Sequence, residues 1–121
     1  MTKRTDDYDE IVRVMRLYID GFNDKDINKF KEAFDANAWI YYIANDGSLH
    51  KNLISDDFEE WASADWRVTG RIISVTQVGD AASVQISWDR RPEGGYIDFH
   101  NLVRINGVWK ITNKTATHSS R

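Results

Sequence analysis

Asp98 and His100, two side chains able to transfer protons, lie two positions apart in a stretch with the composition of a β-strand. Residues two apart in a strand point to the same face of a sheet, so the carboxyl and imidazole groups are expected to be neighbours. If that face encloses a pocket, the pair is suited to general acid–base catalysis. A structural alternative for the carboxylate is an ion pair with one of three arginines, Arg71, Arg90 or Arg104. For the imidazole, the alternative is a hydrogen-bonded core residue or a residue at a dimer surface.

The element that positions this pair is indicated by Asn106-Gly107, which lies between two runs rich in β-branched and aromatic residues. Asn-Gly is the strongest short signal of a β-hairpin, because both residues tolerate the positive φ of a type I′ turn. A two-residue loop would place Asn113 and Thr115 across from the acid–base pair. A three-residue loop with a glycine bulge would shift these partners, so both registers remain open.

Length and composition predict one domain spanning residues 1–121. The net charge is −3 and no Lys/Arg cluster forms a stripe, which argues against nucleic acid as a partner. The chain has no cysteine, and its three histidines, at positions 50, 100 and 118, lack the spacing of a metal site. We therefore expect neither a metal nor a cofactor. No window approaches the roughly 20 apolar residues of a membrane span, so a cytoplasmic protein without membrane contact is expected.

The hydrophobic pattern predicts helices, a short sheet segment, a helix and then long strands. Apolar residues at three- and four-residue spacing indicate a first helix over residues 6–22. Asp24 or Asp26 is expected to cap a short second helix, which a break at residues 35–37 ends. The remaining elements are, in order, strands over 39–43 and around Leu49, a helix over 56–64 capped by Ser55, strands over 68–78 and 81–89, and the hairpin within 94–117. This order predicts an α+β fold, with three N-terminal helices packed on a strongly curved antiparallel sheet that encloses a cone-shaped pocket.

Three stretches of the chain match sequence patterns of a known protein family. They are Tyr18–Phe22, Asp26–Ala36 and Asp98–Lys114. Together with the order of elements, they resemble the nuclear transport factor 2-like superfamily, with its cystatin-like fold, and within it the SnoaL-like branch described as "putative lumazine-binding". The resemblance implies a cone-shaped pocket for a small molecule and a homodimer. It does not imply one activity, since this fold serves isomerases, dehydratases, cyclases and non-catalytic binding domains.

Part of the first helix is also similar to ketosteroid isomerase, whose Tyr-x-x-x-Leu-Asn-x-x-Asp motif matches Tyr18, Phe22-Asn23 and Asp26. The similarity implies that Tyr18 and Asp98 donate hydrogen bonds to a developing enolate oxygen. An ungapped count places Tyr42 where that family carries its catalytic carboxylate. A neutral tyrosine cannot serve as that base at pH 7, so the ketosteroid isomerase reaction itself is not expected.

Asp98, His100 and Tyr18 are therefore the expected catalytic groups. Asn113 and five aromatic residues are expected to line the pocket: Trp39, Tyr41, Trp61, Trp66 and Trp88. The aromatic rings alternatively fill the core, and Tyr18 is alternatively a core residue with a satisfied hydroxyl. The expected function is cofactor-independent isomerisation, dehydration or cyclisation of an apolar or polyketide-like molecule. The alternative is a non-catalytic domain that binds a small ligand or a partner, so catalysis itself stays open.

The opposite face of the same strand carries Ile97, Phe99 and Val103, which alternate with the acid–base pair. A sheet face in contact with water does not normally carry so many large apolar residues. Homodimerisation through this outer face is the expected explanation.

Overall fold

The computed structural model describes residues 4–91 and 94–119. Its helices are α1 (Arg4–Asn23), α2 (Ile27–Ala33) and α3 (Phe58–Ser63), the last preceded by a 3₁₀ turn (Ile54–Asp57). Its strands are β1 (Phe34–Ile43), β2 (Leu49–Leu53), β3 (Arg67–Val78), β4 (Ala81–Arg91), β5 (Gly94–Ile105) and β6 (Val108–His118). The predicted order of elements is confirmed. No helix in the described ranges is long and apolar enough to cross a membrane.

The helix α1 packs one apolar face against the sheet. This face consists of Ile11, Val14, Met15, Tyr18, Ile19 and Phe22, all of which are buried. The spacing of three and four residues places these side chains on one side of the helix, whereas Arg13, Arg16 and Asp20 lie exposed on the other. Burial of this stripe holds α1 across the sheet and directs the Tyr18 hydroxyl toward β5 and β6.

The helix α2 begins at the cap that the sequence predicts, because the Asp26 carboxylate accepts a hydrogen bond from the Asn28 backbone N–H at 3.0 Å. Its end differs from the prediction. The expected break at residues 35–37 is wrong, since the chain turns directly from α2 into β1 at Phe34, which is buried and extended. The expected Ser55 cap of α3 is also wrong, because the 3₁₀ turn occupies that position and no side chain caps α3.

The six strands form one sheet in the order β2-β1-β6-β5-β4-β3. Neighbouring strands are antiparallel except β1 and β6, which run parallel. The register shifts within β1–β6, β3–β4 and β5–β6. Such β-bulges bend a strand and increase its twist, which lets the sheet wrap around the helices.

The β5–β6 hairpin closes with a two-residue loop, because Ile105 pairs directly with Val108. Asn106 and Gly107 have φ of 51° and 81°, so the predicted type I′ turn is confirmed. Farther along, however, Leu102 pairs with Ile111 and Asn101 with Asn113, which leaves Thr112 as an extra residue in β6.

This bulge at Thr112 changes which β6 residues face the helices. His100 pairs with Lys114, and Asp98 pairs with Ala116. The predicted partners, Asn113 and Thr115, are therefore wrong, because the extra residue moves both by one position and to the opposite face.

Candidate functional site

A cavity of about 470 Å³ lies between the helices and the inner face of the sheet. Its apolar wall is largely aromatic and includes Phe22, Tyr42, Trp61, Trp66, Trp88 and Tyr96. Three polar side chains, Tyr18, Asp98 and Lys114, line the same cavity and are nearly inaccessible to bulk water. A pocket with apolar walls and a few converging polar groups is typical of a small-molecule site.

Asp98 is the centre of the polar cluster. The residue is only 2% exposed. Its Oδ2 accepts hydrogen bonds from the Tyr18 hydroxyl at 3.0 Å and from Trp88 Nε1 at 2.7 Å. Both of these bonds end on Oδ2, and the described residues make none to Oδ1, so Oδ1 is the oxygen left for a ligand. Arg104 is one of the three arginines considered as an ion-pair partner of Asp98. In the structure it forms ion pairs with Asp7 and Asp80 instead.

Lys114 supplies the positive charge of the cluster. Its Nζ donates a hydrogen bond to the Tyr18 hydroxyl at 2.7 Å and lies 3.5 Å from Asp98 Oδ2. The same nitrogen lies 4.6 Å from the centre of the Trp61 ring, within the range of a cation–π interaction. Because a buried charge is tolerated only when it is paired, the carboxylate and the ring together explain how an ammonium group is held at 6% exposure.

Tyr18 connects these two charged groups. Its hydroxyl oxygen accepts from Lys114 and its proton is donated to Asp98, so the three side chains form one chain of hydrogen bonds. The hydroxyl proton is therefore directed at the carboxylate in this arrangement. The ring is held by edge-on contacts with Phe34 and Trp88 at centroid distances of 5.0 and 5.2 Å.

His100 lies beside the cluster but not on the cavity wall. Its Nε2 is 3.6 Å from Asp98 Oδ2, too far for a hydrogen bond, and neither ring nitrogen has a hydrogen-bond partner among the described residues. Burial lowers the pKa of His100 from 6.5 to about 4; the charge of Lys114 lowers it as well, while the charge of Asp98 opposes the shift. The imidazole is therefore neutral at physiological pH.

The sequence-predicted site residues divide into two groups. Tyr18, Asp98, Trp61, Trp66 and Trp88 line the cavity together. Trp39, Tyr41 and Asn113 line a separate hollow on the outer face of the sheet. Strand alternation explains the division, since Ile40 and Tyr42 alternate with Trp39 and Tyr41 along β1 and line the cavity, as does Ile43 at the end of the strand.

Lys114 is the site residue that sequence reasoning missed. Regular alternation along β6 pointed to Asn113 as the inward residue, and only the bulge at Thr112 brings Lys114 inward. One signal in the sequence pointed to Lys114. The stretch Asp98–Lys114, which resembles the nuclear transport factor 2-like superfamily, ends at this lysine.

The mouth of the cavity is more polar than its interior. Asp57 and Glu60 contribute carboxylates, Asn45 contributes an amide, and the His118 ring lies tilted against Tyr96 at a centroid distance of 4.6 Å. The cavity therefore has a hydrophilic rim around its aromatic wall. Within the described residues no group of three or more His, Asp or Glu side chains is placed to hold a metal ion.

The family model described as "Putative lumazine-binding" matches residues 6–116. The chain belongs to this lumazine-binding-like family. Among curated proteins, it is 25% identical over 112 residues to the aldolase FrzH of Cladobotryum sp, a match that covers 89% of this chain and 88% of that protein.

Solved structures place this member of the lumazine-binding-like family in the nuclear transport factor 2-like fold and confirm the predicted α+β class. An NTF2-like protein of unknown function from Shewanella baltica OS155 superposes with a TM-score of 0.88 at 25% identity, covering 100% of both chains. A putative ketosteroid isomerase from Shewanella frigidimarina NCIMB 400 superposes with a TM-score of 0.69 at 16% identity, covering 89% of this chain and 94% of that one. The second likeness concerns the fold alone.

Proposed function

We propose that this protein is an enzyme that binds a small carbonyl compound in the cavity and moves a proton at the carbon next to the carbonyl group. The observation that carries the proposal is the Lys114–Tyr18–Asp98 hydrogen-bond chain on the wall of an aromatic cavity. The aldolase relative supports it, because aldol chemistry begins with such a proton transfer. Isomerisation, dehydration and cyclisation of apolar substrates can begin in the same way.

The cluster supplies both charges that the reaction needs, so the chemistry requires no cofactor. Asp98 Oδ1 takes the proton from the α-carbon, and the electron pair of that C–H bond moves through the new C=C bond onto the carbonyl oxygen. The Lys114 ammonium stabilises the enolate that forms, in a site where water does not weaken the interaction. Reprotonation at another carbon completes an isomerisation, whereas attack on a second carbonyl carbon completes an aldol addition.

These roles differ in part from those predicted from the sequence. The Tyr18 hydroxyl donates its proton to Asp98, so the oxyanion partner in this proposal is Lys114, and Tyr18 keeps the two charged groups in place. His100 lies behind the carboxylate and is assigned to positioning rather than to acid–base catalysis.

The test is exchange of α-protons with deuterated water. A panel of aromatic and aliphatic ketones and aldehydes is incubated with the protein, and deuterium incorporation is followed by NMR. We expect exchange above the buffer rate for at least one compound, its loss in Asp98→Asn, and its retention in Asp56→Asn, which changes an exposed carboxylate. Exchange that is equal in the protein, in Asp98→Asn and in buffer would contradict the proposal.

A second candidate is a non-catalytic ligand-binding protein, which the family description and the aromatic wall favour. A flat heteroaromatic molecule such as a lumazine stacks well between rings of this kind. This candidate predicts that a lumazine quenches tryptophan fluorescence with saturation, and that Asp98→Asn retains the effect. Saturable quenching without any α-proton exchange would favour the binder over the enzyme.

We also propose that the protein is a homodimer formed through the outer face of the sheet. Phe99 is 46% exposed and Val103 is 38% exposed on this face. Trp39 and Tyr41 are similarly exposed on β1, two strands away, so apolar side chains lie on both sides of β6 on this face. Large apolar surfaces of this kind mark protein–protein contacts.

A further inference from the structure

We propose that the ε-amino group of Lys114 forms a covalent imine with an aldehyde or ketone that enters the cavity. The proposal deepens the proposed function and rests on it in one respect, because both require a carbonyl compound beside the polar cluster. It goes further, since it assigns Lys114 a bond to the substrate rather than only an electrostatic role.

The position of Lys114 suits this reaction. Of the described lysines, it alone lines the cavity, and it is only 6% exposed. Aromatic rings surround its nitrogen, with Trp61 at 4.6 Å and Tyr18 at 5.2 Å from the ring centres. A dry site of this kind protects an imine from hydrolysis.

The neighbours of Lys114 can carry the protons that imine formation requires. The ammonium must first lose a proton, and the chain through the Tyr18 hydroxyl to Asp98 Oδ2 has steps of 2.7 and 3.0 Å. Lys114 then passes a proton to Tyr18 as Tyr18 passes its own to Asp98, which leaves a neutral amine and a carboxylic acid. A buried neutral pair also avoids the desolvation cost of two charges.

The covalent step balances without a further reactant. The amine nitrogen attacks the carbonyl carbon, an N–C bond forms, and the π electrons move to the oxygen, which takes the proton held by Asp98. The amine gives up its second proton as the carbinolamine hydroxyl leaves as water, so amine and carbonyl become imine and water. A protonated imine then withdraws electrons from the α-carbon, whose proton Asp98 can remove to give an enamine.

The experiment traps the imine with benzaldehyde and sodium cyanoborohydride. Benzaldehyde has no α-proton, so trapping reports imine formation separately from enolisation. We expect the intact mass to gain one benzyl group quickly, peptide mapping to locate it on Lys114, and this lysine to react at least about tenfold faster than the others. Lys114→Arg should lose the fast addition, whereas Lys31→Arg, at an exposed position of α2, should keep it.

A third variant tests the proton chain. Tyr18→Phe removes the hydroxyl between Lys114 and Asp98, and we expect trapping to slow by about tenfold. Labelling spread over surface lysines in the unaltered protein, without preference for Lys114, would overturn the imine whether or not the variants fold. If α-proton exchange persists in that case, the electrostatic role of Lys114 stands; if exchange is also absent, the proposed function fails with it.

Discussion

At the scale of single residues, the site is one buried charge pair held by neutral groups. Asp98 and Lys114 are both nearly inaccessible, and Tyr18 and Trp88 satisfy the carboxylate oxygen that faces the core. Sequence reasoning found three of these four residues, because a carboxylate inside an apolar strand and a tyrosine on a helix stripe are visible as patterns. It missed Lys114, because strand alternation is a local rule and a bulge breaks it.

Lys114→Met should lower the free energy of unfolding by about 3–5 kcal/mol, because it leaves Asp98 buried without a cation. The double variant Lys114→Met/Asp98→Asn should recover much of this loss, since no charge then remains in the core. Urea unfolding at pH 7 and at one protein concentration measures both values. Lys31→Met, an exposed lysine, should change the free energy by less than about 0.5 kcal/mol. Equal stability of the two single variants would mean that the pair does not exist.

His100 should make the protein less stable in mild acid. Its pKa is lowered from 6.5 to about 4 in the folded chain, so well above pH 6.5 the group is neutral in both states and adds no pH dependence. As the pH falls below 6.5, the unfolded chain binds a proton that the folded chain does not, and stability falls by about 1.4 kcal/mol per pH unit. Between pH 6.5, where the unfolded imidazole is already half protonated, and pH 5 the loss is about 1.5 kcal/mol.

This loss belongs to one side chain and can be removed with it. In His100→Gln the fall in unfolding free energy between pH 6.5 and 5, measured by urea denaturation, should be smaller than in the unaltered protein by that amount. The carboxylates titrate in both proteins, so the comparison isolates the imidazole. A pH slope that the substitution leaves unchanged would show that His100 is not buried in its neutral form.

At the scale of elements, the sequence predicted which helices and strands exist better than where they end. Periodicity identifies α1 and the two long hairpins because their patterns extend over many residues. The junction of α2 and β1 was missed because Asp35 and Asn37 have the composition of a loop, although both lie in β1. The Asp35 carboxylate accepts a hydrogen bond from the Asn37 backbone N–H at 3.0 Å, so these polar residues satisfy one another within the strand.

The contact between α1 and α2 depends on Gly21. A Cβ at this position would lie 2.6 Å from a carbon of the Phe30 ring, which is fully buried among other rings and cannot move away. Gly21→Ala gains about 1 kcal/mol of helix propensity, but overpacking of a core costs about 1–3 kcal/mol. We therefore expect a net loss of about 1 kcal/mol in the free energy of unfolding, measured by urea denaturation.

Relief of the same contact provides the control. In a Phe30→Leu background, where the ring is absent, Gly21→Ala should become neutral or stabilising, because only the propensity term remains. A rise in stability on Gly21→Ala alone would show that the two helices do not pack through this glycine.

At the scale of the whole molecule, one sheet carries two hollows on opposite faces. The sequence predicted a single pocket that gathers all five aromatic residues, but β1 alternates, so Trp39 and Tyr41 lie on the outer face while Tyr42 reaches the inner cavity. Composition and periodicity predict that a sheet has two apolar faces. They do not predict which residue belongs to which face when registers shift in three of the strand pairs.

If the outer face joins two copies, a charge placed there should separate them. Phe99→Glu should convert a dimer to a monomer in sedimentation velocity at micromolar concentration, because a carboxylate on a buried apolar interface has no partner. Val78→Glu, at a strand end where the residue is 80% exposed, should leave the mass unchanged. A monomeric unaltered protein, or a Phe99→Glu protein that stays dimeric, would exclude this face as the interface.

Thr112, the extra residue in β6, also affects the register in which β5 pairs with β6. The same two strands have a regular alignment available, without the bulge, in which Lys114 would face outward and Asp98 would be enclosed without its counter-ion. Burying an unpaired carboxylate costs more free energy than losing one backbone hydrogen bond between β5 and β6. Asp98, the base of the proposed reaction, therefore also favours the alignment of β5 and β6 that contains the bulge.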